Sequence, residues 1–169
     1  MSELLVNISK LSAGQHTRSL ETQPVDIGLD ARFSQPVRVN VSLEKSARQL
    51  YLYVEFETSA TFSCDRCLED FVREVSGSYT IVYVMDGRSA EGIEAEEEIQ
   101  VLTPETNIVD LGEDVRQFLL LSLPSKILCR EDCAGLCSMC GVNKNRTSCA
   151  CLVATVDPRW AALKQIQKN

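Results

Sequence analysis

Eight cysteines in 169 residues constrain this chain more than any other feature. Cys64 and Cys67 form a first C-x2-C pair. A C-terminal array then runs Cys129-x3-Cys133-x3-Cys137-x2-Cys140-x8-Cys149-x-Cys151. In an oxidising compartment so many thiols would form disulfides. The N-terminal stretch MSELLVNISKLSAG, however, has neither a basic region nor a long apolar run to direct export. The longest strongly apolar run, Phe118–Leu123, is too short to cross a bilayer. The expectation is a cytoplasmic protein whose clustered, reduced thiols bind metal.

Thiolate pairs separated by short loops build four-coordinate zinc sites. Cys137, Cys140, Cys149 and Cys151 lie within fifteen residues and make the most economical set. Gly141 frees the backbone to turn after Cys140, and Asn143 and Asn145 suit a reversing loop. Cys129 and Cys133 then remain to meet Cys64 and Cys67 across about sixty residues, with buried, unliganded thiols as the alternative for that set. One or two zinc ions are expected. Cys133-x3-Cys137-x2-Cys140 also matches a spacing that holds iron–sulfur clusters, but in large barrels that carry it near their start. A thioredoxin-type role for Cys64–Cys67 would need a strand before and a helix after the pair. Strand patterns stand on both sides instead.

Those patterns are clear. Val37, Val39, Val41 and Leu43 alternate with polar residues, and so do Leu50, Leu52, Val54 and Phe56, with Tyr51 and Tyr53 on the second strand's other face. Glu44–Ala47 would connect the two as a hairpin. A third strand over Gly77–Met85 carries Tyr79, Ile81 and Tyr83 on one face and Val82 and Val84 on the other, ending at a turn signal, Asp86-Gly87. The first C-x2-C would then sit at a hairpin tip. Residues Ser89–Glu98 read as a solvated, Glu-rich loop, and Ile99–Leu102 as a short strand. A helix over 111–122 is signalled by Asp110 as N-cap and Glu113 three residues on, with Val115, Phe118, Leu119 and Ser122 at helical spacing and Pro124 closing it. Asp157-Pro158 opens a last helix in which Trp160, Leu163 and Ile166 can face inward.

The fold expected is therefore α+β: an antiparallel sheet, open or barrel-like, with a packed helix and a C-terminal zinc knuckle. Residues 1–124 form an acidic β-rich domain, and residues 125–169 a cysteine-rich segment with the last helix. No catalytic residues stand out. The only histidine, His16, lies in a polar stretch, no Gly-rich phosphate loop, GxSxG or HExxH occurs, and a four-thiolate zinc has no open position for water. An enzyme with a small-molecule substrate is not expected.

The motifs, taken in order, resemble one family. CDRCLEDF (64–71), NIVDL (107–111), the leucine-rich run ending LSLP (121–124), the array through CGVNKN (140–145), then C-x-C and DPRWAAL (157–163) follow the YceD-type pattern over roughly residues 60–167. Arg66, between the first two cysteines, matches it. The resemblance implies a role in the accumulation of large-subunit (23S) ribosomal RNA. It also implies zinc that holds shape, since some relatives lack most of the C-terminal cysteines yet keep the first pair. It supplies no active-site residues. A redox- or metal-sensing regulator is the alternative function.

Charge narrows the partner. The chain carries −7 overall, of which residues 125–169 hold seven basic against three acidic side chains, or +4, leaving −11 for residues 1–124. Lys144, Arg146, Arg159 and Lys164 are the candidate RNA contacts. An acidic body suits a basic large-subunit ribosomal protein better than naked 23S rRNA, and nothing suggests a membrane partner.

Overall fold

Strict alternation of apolar and polar residues pins one face of a strand to the core. That rule explains the centre of the computed structural model, which describes residues 4–84, 98–103 and 105–151. Two units divide these residues, one from 4–63 and 70–127, the other from 64–69 and 128–151.

In the first unit the strands are β1 (Leu5–Asn7), β2 (Gly14–Thr22), β3 (Val37–Lys45), β4 (Gln49–Ser63), β5 (Asp70–Val84), β6 (Glu98–Val101) and β7 (Ile108–Asp110), followed by helix α1 (Gly112–Leu121). Five strands form one sheet in the order β2-β3-β4-β5-β6, and β1 pairs with β7 in a separate two-stranded sheet. Val37, Val39, Val41 and Leu43 of β3 are buried, as are Leu50, Leu52, Val54 and Phe56 of β4. Leu4, Val6 and Ile8 around β1, Phe33, and Val115 and Leu119 of α1 complete this core. Each such side chain contributes about 1.5–3 kcal/mol by leaving water.

Several expectations change. The sheet is mixed, because β6 runs parallel to β5 while the other pairings are antiparallel. Nor is it a barrel: among the described residues β2 pairs only with β3, and the four-residue β6 only with β5. Period-two patterning assigns faces but carries no strand direction and no closure. β3 runs on through Lys45, so its hairpin turn is Ser46–Gln49, two residues later than expected. Ser46 N donates to the Gln49 carbonyl at 2.9 Å, and Gln49 N donates to Ser46 Oγ at 3.1 Å. β5 starts seven residues before Gly77 and pairs with β4 along its whole length. Its first half hides only Val75 fully, so no alternation betrays it.

α1 begins without the expected capping box. Asp110 Oδ1 accepts from Gly112 N at 2.9 Å, while Glu113 turns to Arg116 at 3.2 Å and Gln117 at 3.0 Å. Buried Leu111, whose N–H donates to the Leu4 carbonyl at 3.0 Å, fixes the entry of the chain instead. Ser122 follows the helix and is exposed; inward, Phe118 stacks on Tyr79 with centroids 4.3 Å apart and planes within 9°. A 3-10 helix, Pro24–Ile27, and strands β1 and β2 had no clear sequence signal. β2 is mostly exposed and contains His16, whose Nε2 lies 2.9 Å from the Ser12 carbonyl. The Asp157–Ile166 helix and most of the Glu-rich loop fall outside the described residues.

Candidate metal centre

The second unit is built from two loops with one geometry. At Cys64-Asp-Arg-Cys67, Leu68 N donates back to the Cys64 carbonyl at 2.9 Å, and Cys64 N to the Glu69 carbonyl at 3.0 Å. At Cys137-Ser-Met-Cys140, Gly141 N donates to the Cys137 carbonyl at 2.8 Å, and Cys137 N to the Val142 carbonyl at 2.8 Å. The residue after the second cysteine is left-handed in both, Leu68 with φ 58° and Gly141 with φ 73°. Glycine takes that conformation freely, whereas a leucine is strained by about 1–2 kcal/mol. Such a turn aims two sulfurs at one point.

Two further sulfurs meet each loop. Cys64, Cys67, Cys129 and Cys133 gather with all four Sγ atoms within 4.8 Å of one another, and so do Cys137, Cys140, Cys149 and Cys151. This is the four-and-four grouping expected from the spacing. Cys64 Sγ lies 3.7 Å from Cys133 Sγ, and Cys67 Sγ lies 3.7 Å from Cys129 Sγ. A disulfide needs about 2.05 Å. Four sulfurs placed tetrahedrally about 2.3 Å from a zinc ion stand about 3.8 Å apart. The separations fit a shared ion, and either group could hold one. Cys64, Cys67 and Cys133 of the first group are buried; Cys140 and Cys151 of the second are exposed.

Crowding splits the thiols electrostatically. Burial raises Cys64, but the N–H groups of Cys129, Cys67 and Arg66 outweigh it and bring the thiol down to about 6. Cys129 is pushed up to about 12 by burial and then by the sulfurs of Cys133, Cys64 and Cys67. In the second group the N–H groups of Cys140 and Met139 lower Cys137 to about 6. Its neighbour Cys151 is pushed up to about 12 by the Cys140 sulfur and by burial. Burial raises Cys133 too, but the Asn145 amide and the Gly135 N–H outweigh it and leave that thiol lowered. Cys67, like Cys129, and Cys149, like Cys151, resist ionising unless a cation sits among them. All-sulfur donors select zinc, copper(I) or iron.

Side chains beyond the sulfurs lock the first group. Arg66 donates to the Cys133 carbonyl at 2.9 Å, and its own carbonyl accepts from Leu136 N at 3.0 Å. Gly135, with φ 69°, lets that chain pass: a Cβ there would stand 3.0 Å from the Arg66 carbonyl oxygen. Asn145 Nδ2 donates to Cys133 Sγ at 3.3 Å. The sequence marked Arg66 only as a family match and Asn145 only as a loop residue, because neither role exists until the loops meet. Leu68 did have a signal, its position matching that of Gly141 in the other loop. Of the four candidate RNA contacts, Lys144 is exposed and Arg146 is paired with Glu69 at 2.7 Å, while Arg159 and Lys164 lie outside the described residues.

Comparison with known proteins decides the family. The model of the family described as "Large ribosomal RNA subunit accumulation protein YceD" matches residues 52–167. The chain belongs to the YceD family. The matched segment contains all eight cysteines. Uncharacterized proteins of Mycobacterium bovis and of two Mycobacterium tuberculosis strains are 30% identical over 103 residues, which is 61% of this chain and 48% of each relative. The chain therefore matches about half the length of these curated relatives. No solved structure matches it. Among the described residues, no helix is long and apolar enough to cross a membrane.

Proposed function

We propose that this chain supports accumulation of large-subunit (23S) ribosomal RNA as a non-catalytic factor, its eight thiolates holding two structural zinc ions. The observation that carries the reading is the YceD match across residues 52–167, which spans both cysteine groups. Four thiolates saturate a zinc ion and leave no position for a reactive water, so the metal shapes a surface and does no chemistry. Such a role belongs in the cytoplasm.

The partner we favour is a basic large-subunit ribosomal protein, bound alone or with its rRNA. On the sheet face turned away from the core, Glu21, Glu44, Glu55, Glu57 and Glu74 are exposed. Among the described residues of this face the one cation, Arg38, is paired with Glu57 at 2.8 Å. Phosphates approaching this face meet repulsion, whereas lysines and arginines meet complementary charge. Near the cysteines, Arg146 pairs with Glu69 and Arg130 with Asp132, and each four-thiolate zinc adds a formal −2. Among the described residues here, few cations are left for the phosphate contacts on which RNA affinity depends.

The test removes the gene from its host and measures 23S rRNA. Cells should lose mature 23S rRNA and regain it when the chain is resupplied. Pull-down from lysate should retain a basic ribosomal protein after RNase treatment. Unchanged 23S rRNA in the deletion strain would end the functional reading; loss of every partner on RNase treatment would put RNA first.

A further inference from the structure

The loop that closes one cysteine group reaches into the other. Residues 141–148 join Cys140 to Cys149, so four sulfurs of the second group fix both ends of this loop. Its Asn145, partly buried, spends its side-chain amide on the surroundings of the first group. Nδ2 donates to Cys133 Sγ at 3.3 Å and to Asn143 Oδ1 at 2.8 Å. Oδ1 accepts from Ala134 N at 2.8 Å and from Arg130 at 2.7 Å. The backbone repeats the connection: Lys144 N donates to the Gly135 carbonyl at 2.9 Å, and Leu136 bridges to Asn143. Asn143 Oδ1 holds Asn145 in place by accepting from its N–H at 2.9 Å.

Resting on the zinc reading above, we propose that Asn145 couples the two centres, so that zinc bound by Cys137, Cys140, Cys149 and Cys151 tightens zinc binding by Cys64, Cys67, Cys129 and Cys133. An N–H aimed at a coordinating sulfur stabilises its thiolate, and loss of such outer partners typically weakens metal affinity by about 10–100-fold. With its ends free, the 141–148 loop samples many conformations, and Asn145 reaches Cys133 in few of them. Metal at the second centre removes that freedom beforehand. Linkage makes the effect reciprocal, so the first ion bound at either centre favours the second. Asn145 is a positioning residue; it binds no metal itself.

The full chain is titrated with cobalt(II), whose tetrahedral-thiolate bands count the centres, and then with zinc against a chelator of known affinity. Two ions should enter the parent cooperatively. Removing the second centre with Cys149→Ser and Cys151→Ser should weaken the first centre about tenfold or more. Asn145→Ala should weaken it comparably, and the combination should add little, as a double-mutant cycle requires of a shared route. Asn145→Asp keeps the acceptor for Ala134 and Arg130 but loses the N–H to sulfur. It should therefore shift the first centre's sulfur-to-cobalt charge-transfer band, which a merely structural role would leave in place. First-centre affinity indifferent to loss of the second centre, or equally reduced by that loss with and without Asn145, overturns the coupling. Failure of either group to bind any ion would instead overturn the zinc reading on which it rests.

Discussion

Cys133→Ser and Cys149→Ser remove one ligand each from chemically similar centres, yet their consequences should differ. The first centre joins residues far apart in sequence, with separations of 69 between Cys64 and Cys133 and 62 between Cys67 and Cys129. An unfolded chain can gather those sulfurs only by closing a long loop, at an entropic cost of roughly 4 kcal/mol at 25 °C. Zinc therefore prefers the folded chain by at least that amount, and the preference is folding stability. The closed segment contains β5, β6, β7 and α1, so losing the clip frees two of the main sheet's five strands, with β7 and α1, in the unfolded ensemble. The second centre closes only the stretch from Cys137 to Cys151, which contains none of those elements. Urea denaturation of zinc-loaded protein, followed by far-ultraviolet circular dichroism, should show Cys133→Ser lowering the stability of the sheet by roughly 4 kcal/mol. Cys149→Ser should lower it far less, by about 1.4 kcal/mol, the equivalent of a tenfold loss of first-centre affinity through the coupling. Hydrogen exchange should quicken around 128–134 in Cys64→Ser. Equal effects of the two variants, or unchanged exchange there, would refute the clip.

Gly77 faces Phe56, and a Cβ at that glycine would stand 2.6 Å from the buried ring's Cζ. Gly77→Ala should destabilise by about 1–3 kcal/mol in urea denaturation, and Phe56→Leu in the same chain should relieve part of the loss. Arg66→Ala removes a charged donor from the Cys133 carbonyl; it should cost about 1.5–3 kcal/mol and speed zinc release from the first centre, read by chelator kinetics. With Cys140 and Cys151 exposed and the first group mostly buried, chelator should strip zinc from the parent in two phases, the second centre emptying first. Acid should release both ions, because their ligands must then take up protons, but only well below the usual thiol range, since bound zinc holds thiolates deprotonated. Zinc lost as soon as the pH falls below that range would argue against four-thiolate ligation.

How much of this was legible depended on which residues touch water. β3 and β4 announce themselves because every second side chain is buried. β2 does not: at the sheet edge, with sequence GQHTRSLET, its conformation comes from nine residues of pairing with β3 and not from its own pattern. The start of α1 misled for a related reason, since the burial of Leu111, not the side chains that resemble a capping box, sets where the helix begins. At the cysteines, the spacing of Cys137, Cys140, Cys149 and Cys151 was enough to group them, and the other four followed by elimination. What spacing cannot carry is the layer around the sulfurs. Arg66 and Gly135 acquire their roles only when residues nearly seventy positions apart come into contact, and Asn145 only when its loop folds back onto Cys133.

Native mass spectrometry of protein purified under reducing conditions, without added metal, tests the two-centre account most directly. The parent should carry two zinc ions, and all its thiols should be recoverable after acid release. The Cys64→Ser, Cys67→Ser chain should carry one ion, as should the Cys149→Ser, Cys151→Ser chain. A metal-free parent with paired disulfides, or a brown protein whose mass reports iron and sulfide, would contradict it.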